Sequence, residues 1–202
     1  ILGLITADKG KIEINGHDSK SINPNTFLSK IGVLFQGGAL FDSMTVWQNV
    51  SFPLTRGKVN FFKEEGRELA LKKLYRVGLQ PEVADQYPSE LSGGMQKRVG
   101  LARAIALDPD IIFFDEPTTG LDPITTTIIN DLIREIVTDM KATTITITHD
   151  ISSTRAIADE VAFLHEGKIQ WKGSVNSMEA SKNPYLHQFL NGLSEGPITA
   201  IK

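Results

Sequence analysis

The stretch Ile111-Ile112-Phe113-Phe114, closed by Asp115-Glu116, constrains the fold of this chain more than any other. Consecutive large apolar side chains alternate to the two sides of a strand, so such a run is too uniformly apolar for a sheet with one wet face. Two further strand-like runs flank it at a distance: Ile31 to Phe35 (IGVLF) and the β-branched Thr143 to Thr148 (TTITIT). The segments between them change period. Ala70, Leu74 and Val77 recur at helical spacing before Gly78, which stands where a helix ends. Val99, Ala102, Ile105 and Ala106 form a second stripe, and Ile129, Leu132, Ile133 and Ile136 a third, behind an Asp122-Pro123 helix start. Strands covered on both faces and separated by crossover helices predict a parallel α/β sheet.

Peripheral elements carry their own signals. KIEI followed by Asn15-Gly16 predicts a short hairpin near the start, and VAFLHEGKIQWKG predicts another that turns at Glu166-Gly167. Asn183-Pro184 opens a short helix with Tyr185, Leu186, Phe189 and Leu190 as its stripe, whereas the following LSEGPITAIK has no packing pattern of its own. That tail reads as a surface extension that docks on a neighbour, with fraying as the alternative. The middle of the chain is rich in large apolar residues, Phe41, Met44, Val46, Trp47, Phe52, Phe61 and Phe62. Some are expected to form a groove for a partner helix, the rest a local core.

Ligands of open parallel sheets lie at the carboxyl ends of the strands, where this chain places Gln36, Asp115-Glu116 and His149-Asp150. Adjacent carboxylates at the edge of a dry strand suit phosphoryl transfer, in which one group holds a magnesium ion and another orients the attacking water. The same pair also fits a helix cap beside a solvated rim charge, and taken alone it favours neither reading. His149 is equally able to be a structural strand-end residue or a phosphate donor, and Asp122 has a sufficient explanation as an N-cap. LSGGMQKR, residues 91 to 98, puts a serine and two glycines at a helix start, where unpaired N–H groups and the helix dipole favour a phosphate.

Composition narrows the function. At 202 residues, 41% apolar, the chain is long enough for one sizeable core and has the balance of a soluble globular protein. A net charge of -3 with both signs interspersed argues against nucleic acid as a partner, and the lack of cysteine excludes disulfides and thiolate metal sites. No apolar run reaches the length of a membrane span, so any membrane role is peripheral.

Taken together and in order, Gln36, LSGGM, IIFFDE, Leu121-Asp122 and His149 resemble the nucleotide-binding subunit of an ABC transporter over nearly the whole chain. The resemblance implies a P-loop NTPase (RecA-like) core at 1–36 and 107–174, a helical subdomain at 37–106 and a C-terminal helix and tail at 175–202. It further implies that Glu116 is the catalytic base, His149 the switch histidine, Gln36 the loop glutamine that also serves a metal-bound water, and Asp115 the magnesium-associated aspartate. Ser92, Gly93 and Gly94 would cover the phosphate of an ATP held by the opposite subunit of a homodimer, with Asp122 at the dimer contact. LFQGGALFDSMTVWQNVSFPL, Met95 within LSGGM and QFLNGLSEGPI resemble the Mla-type branch, whose ATPases serve phospholipid transport with integral-membrane permease subunits and an Mce-type lipid carrier, on the cytoplasmic face of the inner membrane. A small-solute importer ATPase would share the catalytic motifs. A soluble ABC ATPase of translation or DNA repair usually adds a second cassette or a coiled coil, and a non-catalytic module has no need of Glu116 and His149.

Residues 1–202 contain no G-x-x-x-x-G-K-[ST] sequence, and ILGLITADKGK resembles the segment just after that loop in the family. The P-loop, the adenine-stacking aromatic residue and further core strands are therefore expected upstream. Residues 1–202 by themselves are expected to bind Mg-ATP very weakly and to hydrolyse none, because lysine and successive loop amides supply most of the phosphate contacts. Calorimetric titration checks this, and micromolar binding would place the main phosphate contacts within these residues.

Overall fold

The computed structural model describes residues 1–2, 5–55 and 64–199. In chain order the elements are β1 (Glu13–Ile14), β2 (His17–Asp18), α1 (Pro24–Leu28), β3 (Ile31–Leu34), α2 (Val46–Thr55), α3 (Glu64–Arg76) and α4 (Gly93–Ala104). They continue with β4 (Ile111–Asp115), α5 (Pro123–Met140), β5 (Thr143–Ile147), α6 (Ile151–Ile157), β6 (Glu160–His165), β7 (Lys168–Ser174) and α7 (Pro184–Asn191).

The parallel sheet has the order β3-β4-β5, with Leu34 paired to Phe114 and Phe114 in turn to Thr146. β1 and β2 pair across Asn15-Gly16, and β6 and β7 across Glu166-Gly167, both antiparallel as expected from their turn residues. Leu34, Ile112 and Phe114 point to the face covered by helices and are fully buried. The opposite face differs from the expectation of two dry faces. Ile111 and Phe113 are half-buried there, and Ile145 and Ile147 of β5 are 38% and 62% exposed, Ile147 bordering an open cleft shared with Phe163 and Phe189 rather than a packed layer.

Helix α4 packs against α2, α3, α5 and β3. Its polar N-terminal half reads as a surface helix, yet Lys97, Val99, Leu101, Ala102, Arg103 and Ala104 are all buried. Contact with β3 is close: a Cβ on Gly32 would stand 2.2 Å from the carbonyl oxygen of Ala104. Likewise a Cβ on Gly100 would meet the Leu34 side chain at 2.7 Å and the Gly38 backbone at 3.3 Å. Arg103 then reaches the loop after β3, donating to the carbonyls of Gly38 (2.7 Å) and Ala39 (2.8 Å).

The middle segment divides much as its residue types suggest. Val46 and Val50 are buried in the core and Trp47 packs against it. Phe41 instead lies against Phe52 with ring centroids 4.5 Å apart and is 39% exposed. With Ile31, Val33, Phe35 and Pro53 these rings line an apolar groove directly beside Gln36. Phe61 and Phe62 lie outside the described residues. The C-terminal segment is less independent than its sequence suggests, because the buried Gln188 of α7 accepts from Ile198 N–H (2.7 Å) and donates to the carbonyls of Leu193 and Ile198. Residues 193–198 are thereby folded back on α7, and Ala200 to Lys202 lie outside the described residues.

The loop before α2 depends on one amide. Asn49 is fully buried; its Oδ1 accepts from Phe41 N–H (2.7 Å) and its Nδ2 donates to the carbonyls of Phe41, Met44 and Thr45. Asn49→Ala removes the partner of the Phe41 N–H and of the Met44 carbonyl, while the Phe41 and Thr45 carbonyls keep the N–H groups of Met44 and Asn49. It is expected to cost about 2–3 kcal/mol, read as a lower urea midpoint with an unchanged slope.

Candidate active site at the carboxyl ends of the strands

The strand register brings the expected residues to one edge. Asp115 pairs with Ile147, so Glu116 and His149 emerge from neighbouring strand ends. Gln36 comes after β3, the neighbour on the other side. At Glu116 the chain leaves β4 in a left-handed conformation, φ 47°, with its N–H donating to the Ile147 carbonyl at 2.9 Å. A bulky residue rarely adopts this region. The turn aims the Glu116 carboxylate along the sheet edge toward β5, where His149 Nδ1 lies 2.8 Å from Oε1. Thr119 Oγ1 donates to Oε2 at 2.7 Å and Thr148 Oγ1 more weakly at 3.4 Å.

These contacts set the electrostatics of the pair. Partial burial pushes the Glu116 carboxyl up, but the hydrogen bonds from His149 and Thr119 and the histidine charge outweigh it, and the group is held below its ordinary value. It is therefore an ionised acceptor, which assigns the bonding proton to His149 Nδ1. Hydrogen bonding to Glu116 and its negative charge raise His149 in return, reinforced by Asp150. Asp150 itself caps α6, accepting from the N–H groups of Ser152 and Ser153 and from Ser153 Oγ, which fixes the chain just beyond the histidine. A cleft of about 490 Å³ opens beside Glu116 and His149, with Ile147, Phe163, Leu164 and Phe189 on its apolar side.

Asp115 and Gln36 are both exposed at neighbouring strand ends. They offer hard oxygen donors, and no group of three or more His, Cys, Asp or Glu able to hold a metal occurs among the described residues. This set fits a magnesium ion that takes one or two protein oxygens and fills the rest of its shell with phosphate and water. It does not fit an all-protein metal cage.

Ser92, Gly93, Gly94 and Asp122 are not at this edge. They share a second surface cleft with Met95, Leu121 and Thr125. Ser92 caps α4 through the N–H of Met95 (3.4 Å). Asp122 caps α5, accepting from Ile124 N–H (2.9 Å), Thr125 N–H (3.0 Å) and Thr125 Oγ1 (2.5 Å), and these bonds hold its carboxyl below the ordinary value. A Cβ on Gly94 would stand 2.9 Å from the Thr125 methyl, so the two helix starts are in van der Waals contact.

Residues that sequence reasoning passed over complete the site. Thr119 and Thr148 are ordinary loop threonines in the sequence, and nothing local marks them as partners of Glu116. Arg103 had a weak signal, lying between Ala102 and Ala104 in an apolar stripe, whereas Lys97, between Gln96 and Arg98, had none. Burial pulls both cations down; for Lys97 the nearby Glu116 and Asp115 charges oppose that effect.

A parallel sheet with a carboxylate–histidine pair at its carboxyl edge, and a glycine-rich helix start on a separate face, define an ATP-binding cassette. The family described as ABC transporter matches residues 1–119, and the chain belongs to it. Among characterised relatives it is 40% identical over 215 residues to the protein Trigalactosyldiacylglycerol 3, chloroplastic, of Arabidopsis thaliana, covering 97% of this chain and 61% of that protein. It is 39% identical over 199 residues to the intermembrane phospholipid transport system ATP-binding protein MlaF of Escherichia coli K12, covering 97% and 73%. Identity to the "probable ribonucleotide transport ATP-binding protein mkl" of Mycobacterium leprae is 38% over 201 residues, covering 98% and 57%. The chain thus spans less than two thirds of the length of two of these relatives. A dimeric ATP-binding cassette solved with ADP and Pi in a post-hydrolysis state superposes with a TM-score of 0.70 at 30% identity, over 83% of this chain and 74% of that one.

The two shifts fix the sign of the pair's pH dependence. The raised His149 contributes stability below its ordinary value of 6.5 and loses it as pH rises through the folded-state value. The depressed Glu116 contributes above its ordinary 4.5 and loses it as pH falls through its own folded-state value. His149 is 72% exposed, so solvent screening keeps the stability effect small. An NMR titration is the sensitive measurement: His149 is expected to protonate with a midpoint above 6.5, and Glu116→Gln to lower that midpoint.

Proposed function

We propose that this chain is the ATP-hydrolysing, energy-coupling subunit of a membrane phospholipid transporter, active as a pair of like subunits. The observation that carries the reading is the Glu116 carboxylate, turned out of β4 by a left-handed residue and hydrogen-bonded to His149. Ionised and partly desolvated, it is suited to accept a proton from a water that attacks a terminal phosphate. His149, largely exposed, is free to turn its ring from Glu116 to a phosphate oxygen when one arrives. Asp115 and Gln36 would hold a magnesium ion, which when bound neutralises charge on the phosphates. A phosphate-binding loop of the G-x-x-x-x-G-K-[ST] type is needed beside them for tight nucleotide binding.

Ser92, Gly93 and Gly94 line a cleft distinct from this edge, which suits contact with the nucleotide of a second subunit, and Asp122 lies beside them for the subunit contact. On this reading 1–36 and 107–174 form the ATPase core, 37–106 the helical lobe and 175–202 an appended tail. The groove of Phe35, Phe41, Phe52 and Pro53 would receive a permease helix, with Gln36 at its margin to sense the nucleotide. No helix among the described residues is long and apolar enough to cross a membrane. As the partner of such a permease the chain would sit on the cytoplasmic face of the inner membrane, with an Mce-type carrier elsewhere in the complex. Phospholipid as cargo is supported by what the Escherichia coli relative serves. The mycobacterial relative's name favours a second reading, an ATPase for a nucleotide or other small solute.

In a cassette that includes the phosphate-binding loop, Glu116→Gln is expected to lower turnover roughly 10²–10⁴-fold while ATP binding is kept, because the amide is nearly isosteric but accepts no proton. Steady-state hydrolysis and ATP titration on the same preparation check both halves. Wild-type turnover would refute the assignment. Stimulation by phospholipid vesicles, set against a ribonucleotide, in a preparation with the membrane partners decides between the cargo readings.

A further inference from the structure

Lys97 sits on α4 five residues beyond Ser92 and is 4% exposed. Lysine is almost never buried without a paired charge. Here Nζ makes no ion pair among the described residues and lies 3.1 Å from a main-chain acceptor, the carbonyl oxygen of Glu116. The Glu116 N–H is already engaged by Ile147 on the β5 side. The left-handed residue is therefore held at both of its main-chain polar groups, its N–H by β5 and its carbonyl by Lys97 of α4 and, at 3.4 Å, by the Thr119 N–H of its own turn. With both fixed, its Cα–Cβ bond has one direction left, the direction in which His149 and Thr119 meet the carboxylate.

The other end of the same helix gives this contact its meaning. Gly93 and Gly94, at the N-terminal end of the helix, line the second cleft, which Glu116 does not. A lysine about one and a half turns along joins that surface to the carboxylate edge through a rigid, buried helix. No other described side chain of α4 hydrogen-bonds to Glu116.

We propose that Lys97 is a positioning residue for ATP hydrolysis: it holds the Glu116 peptide in its left-handed turn, and thereby makes the aim of the carboxylate depend on how the helix that begins at Ser92 is seated. This rests on the reading of Glu116 as the hydrolytic carboxylate. A phosphate seated at Gly93 and Gly94 would act on the Glu116 of the same chain, and so on the hydrolysis of a different nucleotide.

Two variants separate positioning from packing. Lys97→Met keeps the length and apolar stem and removes the donor; Lys97→Arg keeps charge and donor. In residues 1–202, amide hydrogen exchange of Lys97→Met is expected to speed at Glu116, Thr118 and Thr119 by about tenfold or more, the loss of one charged hydrogen bond, while Ile112 and Phe114 keep their protection. In a cassette with the phosphate-binding loop, kcat is expected to fall by about tenfold or more with KM for ATP unchanged, and Lys97→Arg to recover most of both effects. If Lys97→Met does not fold, Lys97→Gln, which shortens the side chain but keeps a donor, is compared with Lys97→Arg on the same two readouts. Uniformly faster exchange with a normal kcat per folded molecule overturns the proposal and leaves Lys97 as packing. Glu116→Gln is the control: if it hydrolyses ATP normally, the reading of Glu116 has failed, whereas an inactive Glu116→Gln beside a fully active Lys97→Met condemns the Lys97 inference alone.

Discussion

A non-glycine residue in the left-handed region costs about 1–3 kcal/mol, and Glu116 takes that conformation at the end of the central strand. Much of the surrounding structure is what keeps it there. The parallel register of β4 with β5 presents the Ile147 carbonyl to the Glu116 N–H, and α4 presents Lys97 to its carbonyl. Without that turn the chain would continue the alternation of β4 and turn the Glu116 side chain to the face of Ile112 and Phe114.

The second constraint is the seating of α4. Gly32 and Gly100 allow backbone to approach backbone where a methyl group would collide, so β3, α4 and the loop after Gln36 form one tight layer. Buried cations are costly unless their donors are satisfied. Both cations of α4 solve this with main-chain carbonyls: Arg103 with those of Gly38 and Ala39, Lys97 with that of Glu116. These are peptide groups that leave the strands at irregular points and have no ladder partner to bond. The charges are thus bound to the shape of the loops rather than to other charges.

Two faces result. One carries Gln36, Asp115, Glu116 and His149 at the carboxyl edge of the sheet; the other carries Ser92, Gly93, Gly94 and Asp122 at two touching helix starts. Asp122 spends both carboxylate oxygens on its own helix, so its contribution to a partner contact would come through the surface it shapes rather than through a free charge. The apolar groove beside Gln36 is a third feature, lined in part by Arg103 and by Ala39 of the loop it grips.

Much of this was legible in the chain itself. The apolar run 111–114, the β-branched run 143–148, the helical stripes and the Asn15-Gly16 and Glu166-Gly167 turns specify elements through local sterics and periodicity, and those signals survive in isolation. Gln36, Asp115, Glu116 and His149 could be named because each stands just beyond a recognisable strand. Much of what the sequence did not determine depends on distance along the chain. The half-open second face of the sheet and the meeting of Thr148 with Glu116 arise from residues far apart in order, whereas the fold-back of residues 193–198 on Gln188 and the Thr119 bond to Glu116 are local contacts that no periodicity announces. Lys97 shows the limit most clearly: amid LSGGMQKR it reads as a solvated charge. Only packing α4 beneath β4 buries it, since burial is set by what lies across the interface and not by the residue's neighbours in sequence.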